Sequence, residues 1–250
     1  MIQLWRSVIV SLAFVLILRV INAAEPQTPI AKAEQTYRTN RVRFQNDHAN
    51  VQAAWQFARA CFDLAEFAAN DEQREGIAKQ GIDAARRSLA HRPESVEAHF
   101  YLALNLGQLA RTKRLGALKI VHEMEREFKT AIQLDEQFDH AAPRRSLGLL
   151  YRDAPGWPTS IGSRSKARRE LERAVELSPN YPENRLCLAE SYAEWGEKRA
   201  LQAEVQALAE LLPKARKSLS GEDWAEDWRD WDTRWEKLRQ SAEKSSKRVP

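Results

Sequence analysis

Glycine, cysteine and methionine are scarce in this chain of 250 residues, with 9 Gly, 2 Cys and 2 Met. Nine glycines are about 4% of the chain against an average near 7%, too few for the turns of a β-rich or dinucleotide-binding fold. Two cysteines exclude a disulfide-stapled scaffold and a four-cysteine zinc site. There is no Gly-x4-Gly-Lys-Ser/Thr segment to cradle a nucleotide phosphate. The five histidines (His48, His91, His99, His122, His140) show no metal-ligand spacing, and His122-Glu123 has no second His four residues after the first. Cys61 and Cys187 fall far apart in the repeat pattern described below, so neither a disulfide nor a catalytic pair with His is expected. The sequence therefore points to no catalytic residue, no metal and no cofactor, and to a chain that is not an enzyme. An excess of one charge is also lacking: 39 Lys+Arg stand against 35 Asp+Glu.

The longest apolar run, Ser7–Leu18, has 12 residues. A spanning helix needs about 20. Preceded by Arg6 and followed by the small residues Asn22-Ala-Ala24, this run reads as a secretory signal over residues 1–24. The alternative is an uncleaved N-terminal anchor that borrows Trp5 and Val20-Ile21. Cleavage would remove Arg6 and Arg19 and no acid, leaving 37 Lys+Arg against 35 Asp+Glu. No nucleic-acid partner is expected on that balance, and no membrane span remains after cleavage. The expected location is the bacterial periplasm.

What the chain does hold is amphipathic helix at a fixed period. Leu147-Gly148 and Tyr151 precede Ala167, Leu171, Ala174 and Pro179. The next unit repeats the pattern with Leu188, Ala189, Tyr192, Leu201, Val205, Leu208 and Pro213, and Pro179 to Pro213 is 34 residues. Leu102, Ala103 and Leu106 open an earlier unit that Met124, Phe128, Ala131 and Glu136 close. Trp55, Ala58, Arg59 and Phe62 open the first, closed by Gly81, Ala85, Ser88 and Pro93. Small residues let paired helices approach, larger ones fill the gaps, and proline ends the second helix. These residues resemble the tetratricopeptide repeat, whose period is about 34 residues. The resemblance implies an all-α solenoid of four helix hairpins over 48–213, because no unit buries its apolar face alone. Around it we expect a linker and leading helix over 25–47 (the helix near 31–45), a Trp-rich capping helix within 214–240 and a basic tail over 241–250, loose from Glu243 on.

In the fourth unit Tyr192 and Leu201 are nine residues apart; the equivalent separations in the first three are 19, 18 and 16. The excess reads either as insertions building one binding face or as helices that run two turns longer. Lengthened connections of this kind, with the segment Gly156–Ala167, look like the T-component proteins associated with TRAP transporters. That resemblance implies a periplasmic protein that holds an apolar ligand or docks a solute-binding protein; the lipid-attachment cysteine usual there is absent.

Candidate binding residues follow from the inner positions of the first helices: Ala53, Gln56, Ala60, Asp63; Glu97, Phe100, Leu104, Gly107; Ala142, Arg145, Leu149, Arg152; and Glu183, Leu186, Glu190, Ala193. Phe100, Leu104, Leu149 and Leu186 predict a partly apolar groove wall, with Arg145 and Arg152 orienting a protein partner or an apolar small ligand. Own-chain filling of the groove, by a loop or the leading helix, is the alternative. Trp157, in the stiff loop Asp153–Ser163, is either a lid contact or a plug on the stack. Eight basic residues between Arg144 and Arg173 face three acids (Asp153, Glu170, Glu172), an acidic-partner patch or a solvated face. Trp224, Trp228, Trp231, Trp235 and Leu238 share one helix face, which suits a cap on the last repeat or an exposed aromatic platform.

Overall fold

The structure is a computed structural model describing residues 28–47, 49–113 and 116–246; the proposed signal, residues 1–24, and residues 247–250 lie outside the described residues. Helix α1 (Pro29–Asn46) starts where the Thr28 hydroxyl accepts from the Ala31 amide and proline takes the first turn. Four helix hairpins follow: α2 (Val51–Ala65) with α3 (Asp71–His91), α4 (Val96–Arg111) with α5 (Ala117–Leu134), α6 (Phe138–Asp153) with α7 (Arg164–Leu177), and α8 (Pro182–Glu194) with α9 (Lys198–Ser218). A 3-10 turn, Glu222–Trp224, leads into α10 (Ala225–Ser246). Asn50, Asn70, Ser95 and Ser163 cap α2, α3, α4 and α7 by accepting from an amide three residues on. Among the described residues there is no strand, only a single bridge between Gly156 and Gly162. The all-α solenoid expected from the repeat pattern is what the chain forms.

The repeat's small residues act as close-approach points. A Cβ on Gly148 of α6 would meet the Leu171 side chain of α7 at 2.7 Å, and one on Gly81 of α3 would meet the Asn105 side chain of α4 at 2.2 Å. Asn105 is itself fully buried and donates to the carbonyls of Ala58 and Tyr101, each at 2.8 Å, tying α4 to α2. One core cluster runs from Phe44 through Phe57, Tyr101, Phe128 and Leu147 to Ala167; a second runs from Leu171 through Leu188, Leu201 and Leu212 to Trp231 and Ala242. Trp195 packs against both.

The extra residues go to different places in different units. In units one and two they lengthen the second helices, which reach 21 and 18 residues, and the connections 66–70 and 112–116 stay short. Among the described residues only unit three has a true loop, 154–163. Gly162 donates to the Pro155 carbonyl at 2.9 Å and Ser163 to that of Tyr151 at 2.9 Å. A Cβ on Gly162 would lie 2.0 Å from the Ala154 carbonyl, so the loop closes only with glycine there. Matched insertions building one face are therefore not the architecture.

Three further features differ from the sequence expectation. Pro213 does not end α9, which continues to Ser218. Pro213 and Ala209, whose carbonyl it frees, are both exposed, while Leu211, Leu212 and Ala215 hold the next turn in the core. The first turn of α6 is left-handed, with Asp139, His140 and Ala141 at φ 47°, 58° and 63°, and the right-handed helix starts after it. Such a turn costs about 1–2 kcal/mol per non-glycine residue. It is braced by Asn184, which donates to the carbonyls of His140 and Ala174 at 3.0 Å each, and by the His140 ring stacked 4.2 Å from Tyr181. Residues 243–246, expected to be loose, are helix, because Ala242 continues the buried stripe of Trp228, Trp231 and Leu238 and α10 runs on to Ser246.

That stripe is a cap. Trp231 is 1% exposed, its ring edge-on to Trp228 at 4.9 Å and to Tyr181 at 5.6 Å. Trp228 donates to the Leu219 carbonyl at 2.6 Å under the Arg216 guanidinium.

Candidate interaction surface

The first helices of the four units supply the inner residues, and α10 lies across those of unit four. Arg234 of α10 bonds both oxygens of Glu183 at 2.8 Å and both of Glu190 at 2.7 and 2.9 Å. The Trp231 indole donates to Glu183 at 2.7 Å. Burial alone would raise the Glu183 carboxyl, but the Arg234 and Arg145 charges and the hydrogen bonds from Arg234 and Cys187 outweigh it and hold it below the usual range. Two inner positions of unit four are thus occupied by the chain's own C-terminal helix.

The apolar wall expected along the groove is not formed as drawn. Phe100 is 4% exposed, packed among Tyr101, Phe128 and Phe138, and Leu186 is fully buried under the second core cluster. Both positions point between helices rather than into open space, since unit-to-unit contact takes the large apolar side chains. Leu104 and Leu149 are half-buried against the first and second clusters respectively. Arg145 donates to Asn184 at 2.7 Å and lies over the Tyr181 ring; Arg152 holds Asp153 at 2.6 Å and Glu194 at 3.4 Å. Trp157 is 88% exposed, so it neither plugs the stack nor covers a groove; Ile161 and Ser160 are the loop residues that turn inward. The seven residues are not gathered into one pocket.

The basic stretch is a paired face. Arg144 bridges Glu136 and Glu170 at 2.9 and 2.7 Å, Arg173 bonds Glu136 and Glu176, Arg169 bonds Glu170, and Arg164 and Arg168 both close on Glu197. Arg168 takes Glu197 from the next hairpin rather than Glu172 one turn away, because Glu172 accepts from Tyr192.

Recesses lie at both ends of the solenoid: one of about 450 Å³ between the end of α9 and the start of α10, lined by Arg216, Trp228 and Asp232 among others, and two between α1 and α2. One of the latter, of about 460 Å³, is lined by Arg43, Asn46, Asn50, Gln52, Ala53 and Gln56. An adjoining one of about 340 Å³ shares Arg43 and Gln56 and adds Lys32, Thr36 and Asn40 of α1 with Trp55, Arg59 and Asp63 of α2. The Asp63 carboxyl is surrounded by protein yet its side chain keeps 42% of its exposure; this burial pushes it up to about 6, against the pull of Arg59 at 3.8 Å. Gln56 and Asp63 belong to the inner positions read from sequence, whereas the α1 side did not emerge from it. Its signal was available: α1 carries four cations and one acid. Among the described residues no three His, Cys, Asp or Glu side chains cluster as a metal site, and no helix is long and apolar enough to cross a membrane. Cys61 and Cys187 are buried free thiols whose burial pushes both well above the usual thiol range.

Fold and surface together define a tetratricopeptide-type α-solenoid with a polar recess between α1 and α2 and a self-capped end. Solved structures agree on the fold. The thermophilic TPR protein TTC0263 of Thermus thermophilus superposes with a TM-score of 0.60 at 18% identity, covering 85% of this chain and 97% of that one. MamA gives 0.52 at 16% identity, covering 77% and 99%. The chain belongs to the family of regulator of microtubule dynamics protein 1-3 (RMD1-3), whose model matches residues 18–142. No curated protein matches the chain.

Proposed function

We propose that this protein is a non-enzymatic adaptor that holds a polypeptide segment of a protein partner in the α1–α2 recess. The observation that carries the reading is the polar lining of that recess, which joins the leading helix to the first inner helix. Unit four is closed by α10, while the recess beside α2 offers amides and charges to a ligand. Leu104 and Leu149, half-buried on α4 and α6, give the surface limited apolar area, so a polypeptide suits it better than a lipid-like ligand. The family name links its members 1-3 to microtubule dynamics, and a partner from that setting belongs to this proposal. So does export through residues 1–24, with the anchored form as alternative. The resemblance to transporter-associated T-components rests on sequence pattern alone.

A photo-crosslinking residue placed at Gln52 should trap a protein partner in cells, and one at Glu72, an exposed α3 position outside the recess, should not. Equal trapping at both positions would refute the recess as the site. Deleting residues 1–22 should leave the protein in the cytoplasm; unchanged export of that truncation would refute the signal. A second reading is favoured by the exposure of Trp157, a large ring presented by a hydrogen-bonded loop as a separate partner contact. Trp157→Ala would then reduce partner capture without changing crosslinking at Gln52.

A further inference from the structure

One edge of the solenoid, where α4 meets α5, α6 meets α7 and α8 meets α9, carries cations that no acid holds. The acids of units three and four at this edge are taken by arginines: Arg152 holds Asp153 and Glu194, and Arg164 and Arg168 close on Glu197. Lys119, Lys166, Lys198 and Arg199 are exposed, and among the described residues none of the four is bonded to a carboxylate. Two large apolar side chains stand among them, Trp157 at 88% exposure and Leu118 at 41%. The pairing of α5 with α6 brings these residues together. Tyr151, near the end of α6, donates to Glu125 of α5 at 2.7 Å, and Lys166 lies over the Tyr151 ring at 5.2 Å. From that bond α5 runs outward to Leu118, seven positions or about 10 Å at 1.5 Å per residue, while α6 runs outward into the Trp157 loop. Arg164 and Arg168 on Glu197 set the start of α9, with Lys198 and Arg199, beside the start of α7. The opposite ends of the same helices are acidic: residues 131–141 and 174–185 hold five acids and one cation. The hairpins therefore present a basic edge and an acidic edge, an asymmetry that the near-neutral total conceals. Trp settles at the boundary between lipid headgroups and chains, and Lys and Arg beside it are drawn to anionic headgroups. Either reading of Ser7–Leu18, as export signal or as anchor, brings the chain to a membrane.

Independently of the recess, we infer that this edge rests on an anionic lipid surface, with Trp157 and Leu118 entering the headgroup layer and Lys119, Lys166, Lys198 and Arg199 against the headgroup charges. The probe is vesicles of phosphatidylglycerol and phosphatidylcholine in equal parts, added to the full-length chain carrying an environment-sensitive fluorophore on Thr159→Cys. The native thiols Cys61 and Cys187 are buried and leave the label to that position. Emission should rise and shift to the blue, and the response should weaken as salt rises. It should be absent with phosphatidylcholine alone, and absent with the fluorophore on Glu94→Cys, an exposed position at the opposite edge. The reading is local, so attachment through residues 7–18 does not by itself produce it. Trp157→Ala should weaken the response. Lys119→Glu/Lys198→Glu should raise the lipid concentration at half-response about tenfold or more. Arg92→Glu/Lys214→Glu, the same charge change at exposed positions outside the patch, should change it little; equal loss there would reduce the effect to net charge and overturn the site. A silent fluorophore at Thr159, or equal responses at Thr159 and Glu94, would overturn it as well. An oligonucleotide or polyglutamate that matches the vesicles at equal charge would overturn the lipid assignment. A photo-crosslinker at Thr159 that traps a protein in cells, while vesicles leave the fluorophore unchanged, would put a protein contact in its place. None of these results alters the Gln52 test of the recess.

Discussion

Trp231→Ala removes the side chain on which the C-terminal cap turns. The ring is 1% exposed, stands edge-on to Trp228 and Tyr181, and donates to Glu183 at 2.7 Å. Truncating a buried aromatic costs about 3–5 kcal/mol, and the hydrogen bond to a carboxylate accounts for about 1.5–3 kcal/mol of that order. At about 2–4 °C per kcal/mol for a chain of this size, the melting temperature should fall by about 6–20 °C. Because each unit touches only its neighbours, the damage should be local. Hydrogen exchange should show protection lost in α10 and weakened in α8 and α9, with α2 to α5 unchanged. Trp231→Phe, which keeps a ring but no N–H, should fall between the two. A wild-type melting temperature in the alanine variant, or protection lost evenly along the solenoid, would refute the capping argument.

Gly148→Ala should cost about 1–3 kcal/mol by overpacking, since its Cβ meets Leu171 at 2.7 Å; urea unfolding should show it, and Leu171→Ala in the same chain should recover part of the loss. His99 bonds Glu127 at 2.6 Å and the Pro93 carbonyl at 2.9 Å; burial lowers its pKa, but these bonds and the Glu127 charge outweigh that and raise it above 6.5. Its stabilisation is therefore full below 6.5 and lost as pH rises through the higher folded value, so the stability gap between wild type and His99→Gln should shrink with rising pH; a gap that widens would contradict the pairing. Asp63 titrates at about 6 in the fold against 3.8 ordinarily, so the folded state binds more protons in that window and its ionisation costs stability as pH rises. Carboxyl-carbon NMR should place its midpoint near 6, and Asp63→Asn should be more stabilising at pH 7 than at pH 4; a midpoint at the ordinary value would remove the argument.

The solenoid was legible because its determinants are local. Gly148, Ala167, Ala174, Ala189 and Pro179 recur at spacings that paired helices satisfy. The aromatic stripe from Trp224 to Leu238 was equally plain as a helix face. The site was far less legible. Inner positions were assigned by register, and register tells which way a Cα–Cβ bond leaves a helix, not what stands in front of it. Phe100 and Leu186 are at inner positions yet buried, because the neighbouring unit packs over them. Trp157 looked like a lid, but its loop is closed by Gly162 and anchored by Ile161, which leaves the ring in water. Helical content, repeat period and hairpin count were determined by sequence alone, since each depends on residues close along the chain. Which inner face stays open was decided only by tertiary structure: α10 returns over α8 through Arg234 and Glu183, 51 positions apart, and α1 meets α2 to form the recess. Those contacts depend on how successive hairpins stack, and no local spacing encodes it.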